Sequence, residues 1–408
     1  MDLFIARQPI FTKQQSVYGY ELLFRSGSAN VFSHPDPDQA SARVIVDSVF
    51  QVGLPALTGR KRAFINFTRD LLVWGCGALL PKEHAVIEVL ETVDPDTETL
   101  AACRRLKAAG YMLALDDFDG AHGRQAFVEL ANIIKVDFLA TECAKRKAIV
   151  RQYTPRGIRL LAEKVETPED FREAVDAGYT YFQGYFFAKP AMLKSTRTPE
   201  SRVTYIALLQ EVLRPDISIS RVATVMGRDV TLTYKLLRYI NSPFFGFRRR
   251  IASVVEGLML LGEREVRRWA SVIGLACLGR DKPAELVTEA AVRAHFSEAL
   301  ARDAGFPEAS DHLFLVGLLS LLDALLDRPL PDLVAELPIV DAVKDTLLGR
   351  PSTLREVYDC VLAYVHGEWG QLAGLMERLR LSEDHVPTRY REAVLWAQQI
   401  LVASSPTG

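Results

Sequence analysis

The sequence predicts an α/β domain followed by an all-α domain, and two observations carry this prediction. Up to about residue 190, short β-rich apolar runs alternate with amphipathic stretches such as 97–110 and 167–178, each of which ends in glycine. From residue 203 to about residue 400, apolar residues recur at helical spacing and strand-like alternation does not return. We therefore expect one domain over residues 1–194 and an all-helical domain over residues 203–400, joined by a short polar stretch around Pro199.

The strand-like runs of the first domain follow one another with a helix-like stretch between most of them. They read VYGYELLF, RAFINF, AVIEVLE, YMLALDD, ANIIKVDF, GIRLLAE and YTYFQG. Repeated alternation of this kind predicts parallel strands joined by helices, which in about 190 residues gives a compact TIM-like (β/α) barrel. An open doubly wound sheet is the alternative, although its glycine-rich first turn is not found.

Composition excludes several classes of protein. The chain has 408 residues, a formal net charge of −2 and 49% hydrophobic residues, so no basic field points to nucleic acid. The N-terminus lacks the features of a signal peptide, and no apolar run reaches the roughly 18 residues that a membrane span needs. Five scattered cysteines show neither zinc spacing nor obvious pairing. We expect a cytoplasmic protein.

Polar side chains recur where the predicted strands of the first domain end. They are Glu21, Asn66, Glu88, Asp116, Asp117, Lys135, Glu163 and Gln183. Each alone is typical of a strand that reaches water, but in a barrel the carboxyl ends of all strands meet at one mouth. Carboxylate and amide oxygens are the ligands that Mg²⁺ and Mn²⁺ prefer, and clustered acids repel one another unless cations offset them. The recurrence therefore favours a metal site, with the lysine placed to orient water or balance a phosphate.

The first domain resembles the EAL domain family in eight ordered motifs. The signature segment appears as Glu21-Leu22-Leu23-Phe24-Arg25, followed by INF with Asn66 and IEVLE with Glu88 and Glu91. LALDDF, IIKVD, LAEKVET and FQGYFFAKP then occur in the family's order.

This resemblance implies a metal-dependent phosphodiesterase that opens cyclic di-GMP to linear pGpG. It assigns Glu21, Asn66, Glu88 and Asp116 to a first metal ion, Asp117 to a second, and loop support to Glu91. It also implies that Lys135 orients the attacking water, that Glu163 and Gln183 complete the mouth, and that Arg25 meets a substrate phosphate. The implied cofactor is Mg²⁺ or Mn²⁺, with two ions in an active enzyme.

Two departures from the family pattern bear on activity. The loop after the paired aspartates reads FDGAHG over residues 118–123, where active members have a GTGYS-like segment, and Lys164 replaces the usual glycine. The first hypothesis is a phosphodiesterase, weak or conditional because supporting residues set metal affinity. The alternatives are a receptor that binds cyclic di-GMP without cutting it, or an interaction scaffold.

The second domain resembles the HDOD family, chiefly in the segment Lys235–Ser242 and its surroundings. The sequence lacks the ordered histidine and His-Asp ligands of an HD enzyme, so His295, His312 and His366 are expected to be satisfied packing or surface residues. A DNA-binding helix-turn-helix is a rival interpretation of this segment, but leucines outnumber basic residues in its second helix. We expect a protein partner for this domain and leave homo-oligomer formation open.

Overall fold

The structure is a computed structural model that describes residues 3–26, 54–120, 122–188, 200–243, 245–247 and 249–403. Contacts between residues divide the chain into two compact units. Unit 1 contains Met1–Lys189 together with Leu362–Pro387, and unit 2 contains Pro190–Val361 together with Thr388–Gly408. The segment 362–387 therefore groups with the first domain, although it lies inside the range predicted for the helical one. The predicted polar joining stretch falls largely outside the described residues.

Unit 1 is a closed barrel of eight strands in sequential order, which confirms the predicted barrel and excludes the open sheet. The strands are β1 Leu3–Thr12, β2 Val17–Ser26, β3 Arg62–Phe67, β4 Ala85–Val89, β5 Met112–Leu115, β6 Ile133–Asp137, β7 Arg159–Glu163 and β8 Tyr181–Gln183. From β2 to β8, each strand pairs in parallel with the next strand along the chain.

Strand β1 is the part of the barrel that the sequence pattern did not predict. It runs antiparallel to both β2 and β8 and closes the barrel between them. Its apolar residues are interrupted by Arg7 and Gln8, so that periodicity alone did not distinguish it from an irregular N-terminus. The predicted rule that successive strands are parallel therefore fails for this one strand.

Helices of unit 1 lie between its strands, and two of them end beside the glycines that the sequence predicts, Gly110 and Gly178. The described α-helices of residues 54–188 are α1 Leu54–Thr58, α2 Arg69–Val73, α3 Thr97–Ala108, α4 Gln125–Val128, α5 Cys143–Tyr153 and α6 Pro168–Ala177. Asp96 caps α3 by accepting hydrogen bonds from the N–H groups of Glu98 and Thr99. Thr167 and Asp170 form a capping box on α6, which ends at Gly178 in the left-handed conformation.

Unit 2 is helical throughout its described residues, as predicted. The α-helices after residue 199 are α7 Glu200–Val212, α8 Ile219–Met226, α9 Val230–Ile240, α10 Val254–Leu278, α11 Ala284–Asp303, α12 Ser310–Leu319, α13 Leu322–Leu326, α14 Leu330–Glu336, α15 Asp341–Leu347, α16 Arg355–His366, α17 Trp369–Leu379 and α18 His385–Ala403. Of these, α17 belongs to unit 1, and α16 contains one of the boundaries between the units. Among the described residues, no helix is both long enough and apolar enough to cross a membrane.

A layer of apolar side chains fills the barrel interior, with one residue from nearly every strand. The buried members of this layer are Ile10, Phe64, Val86, Ala114, Ile133, Leu161 and Tyr181. On β2 the corresponding position is Gly19, where a Cβ would lie 2.7 Å from the carbonyl oxygen of Arg62. Because strand side chains alternate in direction, the residues two positions further along point into the same interior, one layer nearer the carboxyl ends.

Gly184 permits the turn that leaves β8. Its φ is +141°, and a Cβ there would lie 2.2 Å from the carbonyl oxygen of Val165 and 2.5 Å from its nitrogen. Because both neighbours are backbone atoms, Gly184→Ala is expected to destabilise the protein by at least about 3 kcal/mol. Chemical denaturation measures this change. Gly370→Ala, in open space on α17, is the control and should be neutral or stabilising by up to about 1 kcal/mol; equal effects would contradict the steric explanation.

Candidate functional site

The predicted polar residues form a second layer directly above the apolar one. Each lies two positions beyond a residue of the apolar layer, or beyond Gly19 on β2, and thus shares its interior face. This layer contains Glu21, Asn66, Glu88, Asp116, Lys135, Glu163 and Gln183. The convergence predicted from the sequence is therefore present in seven of the eight strand-end positions, all except Asp117.

The ammonium group of Lys135 lies at the centre of the polar layer. Its Nζ is 2.7 Å from Asp116 Oδ1, 2.8 Å from Glu163 Oε1, 2.9 Å from Glu88 Oε1 and 3.3 Å from Glu21 Oε2. The side chain is only 1% exposed. A buried charge needs partners of opposite sign, and four carboxylates on four other strands provide them.

Amide side chains complete the hydrogen bonding of Glu21. Gln183 Nε2 donates to Glu21 Oε2 at 2.7 Å, and Asn66 Nδ2 donates to Glu21 Oε1 at 3.2 Å. Gln183 Nε2 also donates to Gln8 Oε1 at 3.0 Å. Gln8 is thus a member of the site that was missed with β1, and it lies opposite Glu21 in the strand register. Gln8 can be identified from the alternation of side chains along Leu3–Thr12, because it lies two positions from buried Ile10 and shares its face.

The protonation of the acids reflects a shortage of positive charge. Burial raises the pKa of Glu88 well above its ordinary value and that of Glu163 to about 8, and Lys135 offsets this only in part. Burial also acts on Glu21, but Lys135 and the two amide donors outweigh it and lower its pKa. For Lys135, burial lowers the pKa, but the four carboxylates together raise it well above its ordinary value. One ammonium therefore stabilises fewer than four buried negative charges.

The donor atoms of this layer fit a divalent cation. Within the described part of the chain, no three acidic, histidine or cysteine side chains already stand in a metal-holding arrangement, and Lys135 contacts the four acids instead. Four buried oxygens nevertheless have no hydrogen-bond donor among the described residues: Glu88 Oε2, Glu163 Oε2, Asn66 Oδ1 and Gln183 Oε1. Unsatisfied buried acceptors beside excess negative charge are the ligand set that Mg²⁺ or Mn²⁺ uses.

Asp117 and Glu91 lie outside this cluster. Asp117 is exposed, with φ at +41°, and its pKa is raised by burial and by the charge of Asp116. Glu91 is also exposed, and its charge reaches Asp117. Lys164, in the left-handed region at φ +51°, forms a short ion pair with Asp137. The positive charge of Lys164 opposes this rise in the pKa of Asp117. A fixed cation therefore already lies near the outer acids Asp117 and Glu91.

Arg124 supports the strand ends that carry the acids, and the sequence reasoning did not identify it. Its Nη1 donates to the carbonyl oxygen of Asp116 at 2.6 Å, and its Nη2 donates to those of Val89 and Leu90, both at 2.9 Å. Through these hydrogen bonds the guanidinium connects the carboxyl ends of β4 and β5, the strand ends at which Glu88 and Asp116 lie. Its position directly after the altered loop 118–123 was the available indication.

Arg25 lies on the same face of β2 as Glu21 but further along the strand. It is four residues beyond Glu21, a distance of about 13 Å in an extended strand. Arg25 is partly buried and lies opposite Phe4 in the register. The structure thus places it above the polar layer, on the interior face of the barrel.

Comparison with known proteins agrees with this arrangement. The EAL domain model matches residues 62–190 and the HDOD domain model matches residues 199–336. The chain is 33% identical to the uncharacterized protein YuxH of Bacillus subtilis, over 99% of this chain and 100% of that one. It is 34% identical to the cyclic di-GMP phosphodiesterase CdgJ of Vibrio cholerae, over 97% of this chain and 93% of that one. The chain belongs to the EAL–HDOD family.

Solved structures also match the EAL region. A crystal structure of an EAL domain protein from Listeria monocytogenes is 21% identical and gives a TM-score of 0.36. The match covers 45% of this chain and 87% of that one.

The HDOD signature segment has a structural role in unit 2. Asn241 Nδ2 donates to the carbonyl oxygens of Leu237 and Ile251, while its Oδ1 accepts from the N–H of Ile251. Asn241 thereby fixes the chain that follows α9. Leu236 and Ile240 of α9 are fully buried, which agrees with a packed helix rather than a groove-reading one.

The histidines of the helical region pack as expected, with one difference. His295 stacks near Trp396 at 4.8 Å between ring centres, and His366 contacts Tyr185 at 5.0 Å. The expectation that His295 is satisfied is wrong, because its buried Nδ1 has no hydrogen-bond partner among the described residues. Burial and three nearby arginines lower its pKa to about 4, so it stays neutral at ordinary pH.

Replacing Arg124 tests its supporting role. Arg124→Met removes three hydrogen bonds to carbonyl groups. Val89 and Leu90 keep the N–H groups of Asp116 and Val93 as donors, but the carbonyl of Asp116 loses its guanidinium donor, which is expected to cost about 1–3 kcal/mol of stability. Because Asp116 loses its backbone anchor, affinity for Mn²⁺ should also fall roughly tenfold. Urea denaturation and calorimetric titration with Mn²⁺ measure the two effects. Arg105→Met, on the exposed surface of α3, is the control; unchanged Mn²⁺ affinity in Arg124→Met would contradict the positioning role.

Proposed function

We propose that this protein is a divalent-metal-dependent phosphodiesterase that hydrolyses cyclic di-GMP to linear pGpG. The observation that carries the proposal is the layer of four carboxylates, two strand-end amides and one lysine at the barrel mouth. Several of its buried oxygens have no hydrogen-bond donor in the part of the chain that the structure describes. The name of the near-full-length relative CdgJ, a cyclic di-GMP phosphodiesterase, supports the same substrate.

The proposed metal ligands are Glu21, Asn66, Glu88 and Asp116, with Asp117 contributing to a second ion. A bound Mg²⁺ or Mn²⁺ acidifies water and stabilises negative charge on phosphoryl oxygens. The donor set fits the first ion through the unsatisfied oxygens of Glu88 and Asn66. The site of the second ion has fewer suitable ligands, because Asp117 is exposed and Lys164 already provides a positive charge nearby.

The protein's own residues bind and orient the reactants. Arg25 has a planar fork of donors suited to a phosphate oxygen pair, and it lies on the interior face above Glu21. Lys135 orients the attacking water and stabilises charge at the phosphorus as the ester bond breaks. Glu163, whose pKa is raised to about 8, is within reach of Lys135 and is proposed to exchange a proton during the reaction. Gln183 holds Glu21 in its orientation.

The second candidate function is a receptor that binds cyclic di-GMP without cutting it. The ion pair of Lys164 with Asp137, next to Asp117, favours this candidate because it competes with a second metal ion. Arg25 and the inner acids serve either function. In both, we propose that the HDOD region binds a protein partner and that the protein acts in the cytoplasm.

Turnover measurement distinguishes the two candidates. Purified protein with Mg²⁺ or Mn²⁺ is expected to convert cyclic di-GMP to linear product, followed by chromatography, while calorimetry measures binding. Glu21→Ala should lower the rate at least about a hundredfold because it removes a ligand and the hub of the amide hydrogen bonds. Glu83→Ala, an exposed acid of the same unit, is the control. Binding without product in the wild type would favour the receptor, and neither would contradict both candidates.

Lys164 provides a second test of the proposed metal centre. Lys164→Gly removes a positive charge beside Asp117 and is expected to raise Mn²⁺ affinity roughly five- to tenfold, or to add a second binding event in calorimetry. Lys164→Arg keeps the charge and should leave the titration unchanged. Lys145→Ala removes a charge from an exposed pair at the altered loop and is a further control. Identical titrations for all variants would show that Lys164 does not compete with metal.

A further inference from the structure

The β1–β2 hairpin extends beyond the barrel. The last parallel pairing of β2 with β3 joins Leu22 to Ile65, whereas the pairing of β2 with β1 continues to Ser26 opposite Leu3. Residues 3–6 and 23–26 therefore form a two-stranded ribbon above the level of Glu21, which we call the hairpin extension. A two-stranded ribbon is marginally stable on its own, so contacts with other segments are needed to hold it in place.

One face of the hairpin extension continues the interior face of the barrel. Because side chains alternate along a strand, Leu23 and Arg25 share the face of Glu21. In the antiparallel register Phe4 lies opposite Arg25 and Ala6 lies opposite Leu23. Phe4 and Arg25 are thus a cross-strand pair on the face that looks over the site, and side chains in such pairs restrict one another.

A segment of the chain far away in sequence covers this face. The Phe4 ring lies 6.0 Å from that of Tyr364 and 6.1 Å from that of Trp369, and the latter two rings are 5.6 Å apart. Between them Gly367 approaches Leu23 so closely that a Cβ would lie 3.1 Å from its Cδ1. We call Tyr364 and Trp369 the aromatic clamp.

The aromatic clamp also closes the open edge of β1. The hydroxyl of Tyr364 accepts a hydrogen bond from the N–H of Ile5 and donates to its carbonyl oxygen, both at 3.3 Å. Phe4 is 1% exposed and Tyr364 is fully buried. In the same segment His366 contacts Tyr185, two residues beyond Gln183 on the β8 side. The segment therefore contacts β2 and the turn that follows β8, the two strands that flank β1.

We infer that the aromatic clamp is a positioning device for substrate, holding the hairpin extension so that Arg25 faces the nucleotide phosphate. The inference rests on the proposed function and concerns residues 362–369, which lie outside both matched regions, 62–190 and 199–336. Tyr364 and Trp369 contact Phe4, which lies opposite Arg25 in the strand register. They act through Phe4 on Arg25, so they determine how tightly substrate binds rather than how fast the bound substrate reacts.

The experiment separates substrate positioning from general stability. Trp369→Ala in the full chain is expected to raise KM for cyclic di-GMP roughly tenfold and to change kcat by less than about threefold. Tyr364→Phe keeps the ring and loses the two hydrogen bonds of the hydroxyl with Ile5, so its KM should rise about two- to threefold. Trp74→Ala, an exposed tryptophan of the same unit, is the matched control. Hydrogen exchange should become faster in residues 3–6 and 23–26 of Trp369→Ala only, with the rest of the barrel unchanged.

A double-mutant cycle identifies Arg25 as the residue through which the clamp acts. Once Arg25→Ala has removed the phosphate contact, adding Trp369→Ala should raise KM by less than about twofold, because both changes act on one interaction. Additive effects, or an unchanged KM in Trp369→Ala despite faster exchange, would overturn the inference and leave the clamp a packing feature. If the wild type neither binds nor cleaves cyclic di-GMP, the proposed function fails and the positioning role fails with it. Activity with a normal KM in Trp369→Ala contradicts only the inference.

Discussion

The buried ammonium of Lys135 is the interaction on which the barrel mouth depends. A lysine that is 1% exposed can remain charged only beside opposite charges, and the four carboxylates that contact it come from β2, β4, β5 and β7. These contacts connect five strands across the barrel. The layer still carries excess negative charge. Because these acids are buried, the pKa values of Glu88 and Glu163 are raised. The same lysine that organises the mouth therefore leaves it ready for a divalent cation.

The altered loop after the paired aspartates does not leave the acids unsupported. Arg124 follows that loop and holds the carbonyl groups of Val89, Leu90 and Asp116 in place. Lys164 forms an ion pair with Asp137, and its positive charge also acts to lower the pKa of Asp117. Arg124 thus supports the acids of the polar layer, whereas Lys164 interacts with the outer acid Asp117. This difference separates the part of the site that resembles an active enzyme from the part that has diverged.

Much of this arrangement could be predicted because it depends on a period of two residues along each strand. Strands that end on Glu88, Asp116, Lys135 and Glu163 must bring these residues to one layer once the barrel closes. Strand β1 escaped prediction because Arg7 and Gln8 interrupt its apolar pattern, and Gln8 was missed with it. Arg124 could not be found from spacing, because its partners are backbone carbonyls that carry no sequence pattern. The return of residues 362–387 to unit 1 depends on tertiary contacts about 360 positions apart, such as that between Tyr364 and Ile5, which no local pattern encodes.

The discontinuous composition of unit 1 has a consequence for how the protein is made. Synthesis delivers β1 to β8 first, then residues 190–361 of unit 2, and only afterwards the residues that cover Phe4 and Ile5. Until residue 369 has left the ribosome, Phe4 and the backbone of Ile5 lack the contacts that Tyr364 and Trp369 make with them. Contacts between residues so distant in sequence form late and slowly. The covered hairpin extension therefore exists only after residues 190–361, most of the helical half, have been translated.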